Sequence, residues 1–259
     1  MNIWAIANQK GGVGKTTTAV SLAGIIAKRR SRILLIDMDP HGSLGLYLGV
    51  KAEELNLTAF DLLKHQQSYS REMVLEHIVS TPIEGIDLMP SSMALATLDR
   101  SQGNDFGMGL KLKQSLQAIE NDYDYVLIDC PPVLGVLMIN ALAAAQKLVI
   151  PVQTEFLALK GLERMLATLK MVEKSLGKTL DYNIIATMFD RRTRAAVIAI
   201  EELASRYGSH FCSGYIPVDT KFRDASLALT PISHYAPNSR GYDAYKKVFK
   251  EIIEEPSYV

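Results

Sequence analysis

Ten residues near the start of the chain, Asn8-Gln9-Lys10-Gly11-Gly12-Val13-Gly14-Lys15-Thr16-Thr17, limit its fold more than any other stretch. They stand between an apolar, strand-like run at 3–7 and a helix-forming stretch at 16–30. Glycines between a strand and a helix let the backbone wrap tightly, so that successive N–H groups and the helix N-terminus face one anion. The general phosphate-loop pattern is G-x-x-x-x-G-K-S/T. Gly14, Lys15 and Thr16 meet its last three positions, whereas Gln9 stands where the first glycine belongs. The expected ligands are ATP and Mg²⁺. Gly11, Gly12, Val13, Gly14 and Thr17 would wrap the phosphates, Lys15 would neutralise β/γ charge, and the Thr16 hydroxyl would ligate the metal. A glycine turn that merely opens a helix is the bland alternative, and the Gly-Lys-Thr triplet in a strand–helix setting argues against it.

Short apolar runs recur along the chain at 3–7, 33–36, 86–89, 125–128, 148–152 and 184–188. Between them, 16–30, 110–120, 161–176 and 195–207 carry helix formers at 3.6-residue spacing. Runs apolar on both faces, alternating with helices, predict an α/β fold: a mainly parallel, twisted sheet in three layers with helices on both sides. No linker divides residues 1–259, which reads as a single domain. The more polar stretch 53–80 predicts small helices and loops beside the sheet, and 101–109 reads as a loop.

A magnesium–phosphate site needs carboxylates at strand ends. The run at 33–36 is followed by Asp37-Met38-Asp39-Pro40, and two residues of spacing put both aspartates on one side if the strand continues. The run at 125–128 leads into Asp129-Cys130-Pro131-Pro132, which offers a third carboxylate. In-line attack of water on a γ-phosphate relies on such positioning and charge stabilisation. Cys130 reads as a small buried filler.

Lys10 is a second lysine at the mouth of the loop, where it repels Lys15 unless additional anion is shared. Lys-Gly-Gly-Val-Gly-Lys-Thr-Thr at 10–17 resembles the deviant Walker A motif of the ParA/MinD ATPases. The resemblance implies that Lys10 contacts nucleotide held by the other subunit of an ATP-sandwich homodimer. Residues 37–43 are similar to the family's switch I, with His41 and Ser43 replacing the usual Gln and Asn. By that likeness Asp39 orients the attacking water and Asp37 supports the metal's hydration shell. Residues 125–132 look like Walker B with switch II, where Asp129 would hold Mg²⁺ through water. The similarity spans nearly the whole chain, and Met188 and Pro217 are the candidates for packing on the adenine faces. Residues 90–98, 189–193 and 215–220 resemble the ParC-type branch encoded with polar chemotaxis genes. An ATP-driven switch that positions and segregates chemotaxis arrays at the cell pole is what this implies. Its partners would be a ParB-like or chemotaxis adaptor and a polar landmark protein.

Charge limits the alternatives. With 28 basic and 28 acidic residues the formal net charge is zero, so any nucleic-acid contact must come from a local patch. Arg192 and Lys221 occupy positions where ParA proteins contact nucleoid DNA non-specifically, with Arg191, Arg194 and Arg223 nearby. Asp190, Asp219 and Asp224 dilute the patch. Tyr242, Tyr245, Phe249 and Ile252 recur at helical spacing and predict a C-terminal helix packed on the core, not a basic membrane anchor. Two cysteines, Cys130 and Cys212, without metal-ligand spacing speak against an iron–sulfur reductase on the same scaffold. No apolar run approaches the 18 or so residues of a membrane span. A cytoplasmic protein is expected, and a nucleotide-gated scaffold with negligible turnover is the alternative of another class.

Overall fold

The computed structural model describes residues 1–101 and 108–254. In chain order, β1 (Asn2–Ile6), α1 (Lys15–Ala27), β2 (Ile33–Asp37) and α2 (Ser43–Tyr47) open the fold. The polar stretch that follows holds α3 (Ala59–Lys64), α4 (Arg71–Leu75) and the short β3 (Val79–Ser80), then β4 (Ile86–Met89) and α5 (Leu95–Ser101). Next come α6 (Lys111–Ala118), β5 (Tyr125–Asp129), α7 (Val136–Ala144), β6 (Lys147–Gln153) and α8 (Phe156–Leu176). The chain ends with β7 (Asp181–Phe189), α9 (Arg194–Tyr207), β8 (Phe211–Pro217), α10 (Lys221–Leu227), α11 (Ile232–Tyr235) and α12 (Arg240–Ile253).

The eight strands form one sheet in the order β3-β4-β2-β5-β1-β6-β7-β8. Every pairing is parallel except β3 with β4. Alternate residues of one strand feed opposite cores, as a pleat requires. Ile3, Ala5, Leu34, Ile36 and Val126 join the layer built with α6, α7 and α8. Trp4, Ile6, Ile33, Leu35 and Leu127 join the layer built with α1 and α12. The expected three-layer α/β architecture is therefore the one observed. Helix α1 is covered on nearly all sides, with Thr18 to Ile26 buried.

All six expected strands are present, with ends shifted by up to three residues. Sequence reading missed β3, which has two residues, and β8, whose Phe-Cys-Ser-Gly-Tyr-Ile-Pro lacks a continuous apolar run. β8 is an edge strand, so only part of it needs to be apolar. Glu251 of α12 accepts from the Ser213 and Gly214 N–H groups at 2.6 and 3.2 Å, which covers part of that edge. Tyr245, Phe249 and Ile252 of α12 are buried and Tyr242 half-buried, as expected. The proposed loop at 101–109 falls mostly outside the described residues, as does the tail after residue 254. Among the described residues, no helix is long and apolar enough to cross a membrane.

The topology gathers the chemistry. β2, β5 and β1 are neighbours, and their carboxyl ends carry Asp37, Asp129 and the glycine loop. In register, Asp129 lies beside both Ile6 and Asp37. Open α/β sheets bind ligands outside such strand ends.

Candidate nucleotide site

The loop after β1 has the shape its glycines permit. Gly12 and Gly14 have φ of 75° and 91°, a left-handed conformation that costs other residues energy. Gly14 caps α1 without any side-chain hydrogen bond, and the helix's first turn holds no acidic residue. Its leading N–H groups and positive dipole end are thus left for an anion. Side chains fix the loop from behind. Thr187 of β7 donates to the Val13 carbonyl at 2.9 Å. Asn8 donates to the Pro151 carbonyl at 2.8 Å and accepts from the Lys10 N–H at 3.0 Å. Gln9, which departs from the general pattern, donates to Thr168 Oγ1 of α8 at 2.8 Å. The residue in place of the first glycine is a tie between the loop and α8.

Lys15 lies almost buried beneath the loop, its Nζ 3.3 Å from the Lys10 carbonyl. Burial draws its pKa down, while Asp129, Cys130 and Asp39 oppose that shift. Thr16 Oγ1 donates to Asp129 Oδ2 at 2.6 Å. The other oxygen, Asp129 Oδ1, is buried with no hydrogen-bond partner. Burial raises the Asp129 carboxyl to about 7 against the pull of Thr16 and Lys15. An orphaned buried acceptor beside a threonine hydroxyl suits a cation that brings its own waters. No cluster of three or more His, Cys, Asp or Glu that could hold a metal occurs among the described residues. This donor set fits Mg²⁺, which keeps its waters and binds through few protein groups plus phosphates.

The two aspartates after β2 do different work. The strand ends at Asp37, so the alternation that would have put both on one side does not continue. Asp37 is fully buried, its Oδ1 accepting from the Asp39 N–H and its Oδ2 from those of Leu44 and Gly45 at 3.0 and 3.2 Å. Burial, with Asp129 adding repulsion, raises its pKa well above the usual carboxylate range. Its oxygens hold the start of α2, a use that competes with a role around the metal. Asp39 remains partly exposed, its Oδ1 bonded to the His41 N–H at 3.0 Å and lying 2.8 Å from His41 Nδ1. Ser91 donates to the Asp39 carbonyl, so the loop after β4 braces this turn.

Lys10 is held within its own chain. Its ammonium group pairs with Glu155 and reaches Gln153 Oε1 at 3.3 Å, two residues at the end of β6 and the start of α8. Neither was singled out for this role from sequence; a carboxylate directly after a strand end was the available signal. Beside Glu155, Phe156 and Leu157 are exposed, as are Val133 and Leu134 in the loop after β5.

A cleft of about 950 Å³ runs from the loop toward the ends of β7 and β8. Met188 and Pro217 line it together with Val13, Gly14, Thr16 and Thr17, so both candidate base contacts share a space with the phosphate loop. Met188 has φ of 54°, a strained backbone of the kind found at functional sites. Ser43, Tyr47 and Arg223 also line the cleft and were not assigned to it from sequence. Their contribution depends on how α2 and α10 pack. Arg192 and Lys221 lie elsewhere and are paired. Arg192 contacts Asp190 at 2.7 Å and holds that carboxyl down to about 2, and Lys221 contacts Asp224 at 3.0 Å.

Residues 1–182 match the family described as AAA domain. The chain is 37% identical over 251 residues to the sporulation initiation inhibitor protein Soj of Bacillus subtilis, covering 96% of this chain and 97% of that protein. It is 34% identical over 256 residues to the chromosome partitioning protein ParA of Caulobacter vibrioides, covering 98% and 94%. Among solved structures, cobyrinic acid a,c-diamide synthase from Mycobacterium smegmatis with a bound ATP analogue and magnesium superposes with a TM-score of 0.81. That pair shares 30% identity over 96% of this chain and 93% of the other.

Proposed function

From the premise that this chain belongs to the ParA/Soj family of P-loop ATPases, we propose that it is an ATP-dependent dimerisation switch. The whole chain, 1–259, acts as one ATPase unit that hydrolyses ATP slowly and is accelerated by a partner. Its cargo is a cellular assembly that it positions and segregates, and the sequence details at 39–43, 90–98, 189–193 and 215–220 favour polar chemotaxis arrays. The observation that carries the reading is one cluster: Lys15, Thr16 and Asp129 beneath a loop whose amides are free, with Lys10 at its mouth.

In this reading the loop amides of Gly11 to Thr17 bind the phosphates of ATP, and Met188 and Pro217 sandwich the base. Thr16 and Asp129 would hold Mg²⁺, which shields the phosphate charge when bound. Asp39, braced by His41 and Ser91, orients the attacking water, and reliance on positioning by one carboxylate is in keeping with slow turnover. Lys10 leaves Glu155 to reach the partner's nucleotide. The exposed Val133, Leu134, Phe156 and Leu157 suit an apolar face between two subunits. The protein is cytoplasmic and works at the cell pole with an adaptor and a landmark protein.

The solved synthase shares the scaffold and its nucleotide, but identity to Soj along nearly the entire chain favours the positioning branch. Non-specific DNA binding, as in chromosome partitioning, is the second reading. The pairing of Arg192 and Lys221 with carboxylates argues that such binding is weak and easily screened. Light scattering with a non-hydrolysable ATP analogue tests the main reading. Lys10→Ala should bind the analogue yet stay monomeric, and dimers that persist in that variant would refute the sandwich. A fluorescent fusion spread over the nucleoid instead of gathered at the pole would move the assignment to DNA partitioning.

A further inference from the structure

Arg223 was grouped by sequence with the basic residues of a possible DNA patch. Arg191, Arg192, Arg194 and Lys221 do not line the cleft beside the phosphate loop, whereas Arg223 does. It stands on α10 and lines the cleft that also contains Gly14, Thr16, Thr17, Met188 and Pro217. Among the described residues, two charged side chains line this cleft, Asp219 and Arg223. Asp219 is occupied: its carboxylate accepts from the Lys221 N–H at 3.0 Å and the Gly241 N–H at 3.1 Å. Lys221, two residues away, is neutralised by Asp224. Arg223 is exposed and its guanidinium has no ion pair or hydrogen bond among the described residues. An unpaired guanidinium facing a cleft whose floor is an anion-binding loop has an evident class of partner, since it offers a rigid fork of donors matched to phosphate oxygens.

The position along the nucleotide follows from the neighbours. Thr17, the last residue of the loop, lines the cleft with Arg223, whereas Lys10, Gly11 and Gly12 at the other end do not. Met188 and Pro217 occupy the base side. We propose that Arg223 binds the nucleotide at its α-phosphate end, so that α10 clamps the ligand between base and phosphate loop. This inference rests on the reading of the cleft as an ATP site. It adds a contact at the α-phosphate, shared by ATP and ADP and distinct from the roles read for Lys10 and Lys15.

Calorimetric titration of the full chain with Mg·ADP and with a non-hydrolysable Mg·ATP analogue tests it. Arg223→Ala should weaken both ligands by a similar factor, about ten-fold for one charge-assisted contact. Arg223→Lys should recover part of the loss, and melting temperature without ligand should match wild type because the side chain is exposed. Weakening of the ATP analogue alone would place Arg223 at the γ-phosphate and overturn the assignment. Unchanged affinity for both, with reduced retention on DNA, would return Arg223 to the DNA patch and also overturn it. Lys15→Ala serves as the control. If it binds as well as wild type, the ATP reading of the cleft fails; if it loses binding while Arg223→Ala does not, only the Arg223 assignment fails.

Discussion

The carboxyl group of Asp129 sits without solvent between Thr16 and Lys15, and ionising it there is unfavourable until a cation approaches. Its raised pKa links stability to pH. Between about pH 4 and pH 7 the folded protein retains a proton that the unfolded chain has released, so stability falls as pH rises through that window. Below it the effect vanishes. Asp129→Asn removes the penalty, and with it the repulsion on Asp37. Without nucleotide or metal, that variant should therefore melt higher than wild type at pH 8 and equally at pH 4, the gain being at most about 4 kcal/mol. A lower melting temperature at pH 8 would show that Asp129 stabilises the apo fold. Lys15→Ala should reduce ATP affinity at least about a hundred-fold, because a nearly buried ammonium has no substitute beneath the loop. The chemistry of these residues was legible in sequence because residue type and spacing define it. The placement of Gln9, Glu155 and Arg223 was not, because Gln9 meets Thr168 on α8, Glu155 meets Lys10 far back in the chain, and Arg223 reaches the cleft only through the packing of α10.

At the level of elements, α1 depends on close approach. A β-carbon at Gly24 would lie 2.3 Å from Ser233 Oγ and 2.7 Å from Pro231 Cβ, so α1 packs against α11 with no room for a methyl group. Gly24→Ala gains about 1 kcal/mol in helix propensity, but overpacking costs about 1–3 kcal/mol. A net fall in melting temperature is expected, with ATP affinity weakened because α1 carries the phosphate loop. Unchanged melting would mean that α11 shifts freely. Helix α2 shows a parallel dependence. It starts where Asp37 accepts the Leu44 and Gly45 N–H groups, so a carboxylate read from sequence as metal-facing is committed to anchoring the switch turn. Strands with continuous apolar runs were predictable because burial on both faces demands such runs. β8 escaped because an edge strand has no such demand.

For the whole molecule, the order β2-β5-β1 is what turns three separate motifs into one site. In the proposed dimer, the exposed side chains of Val133, Leu134, Phe156 and Leu157 would supply an apolar face for pairing. Asp39→Ala should trap ATP-bound dimers, with turnover lowered by about two or more orders of magnitude, as for loss of a group that positions water. Phosphate release together with light scattering would check this, and wild-type hydrolysis in the variant would remove the role assigned to Asp39.

Sequence alone determined the fold class, the phosphate loop, the ligand chemistry and the three aspartates, because each depends on short-range pattern: glycine freedom, apolar periodicity, a carboxylate at a strand end. Tertiary structure decided what Lys10 touches, why Gln9 can replace a glycine, which aspartate oxygens are left unpaired, and which arginine lines the cleft beside the phosphate loop. Those answers depend on burial and on contacts between residues more than a hundred positions apart, and one strand's pattern carries no record of its neighbours.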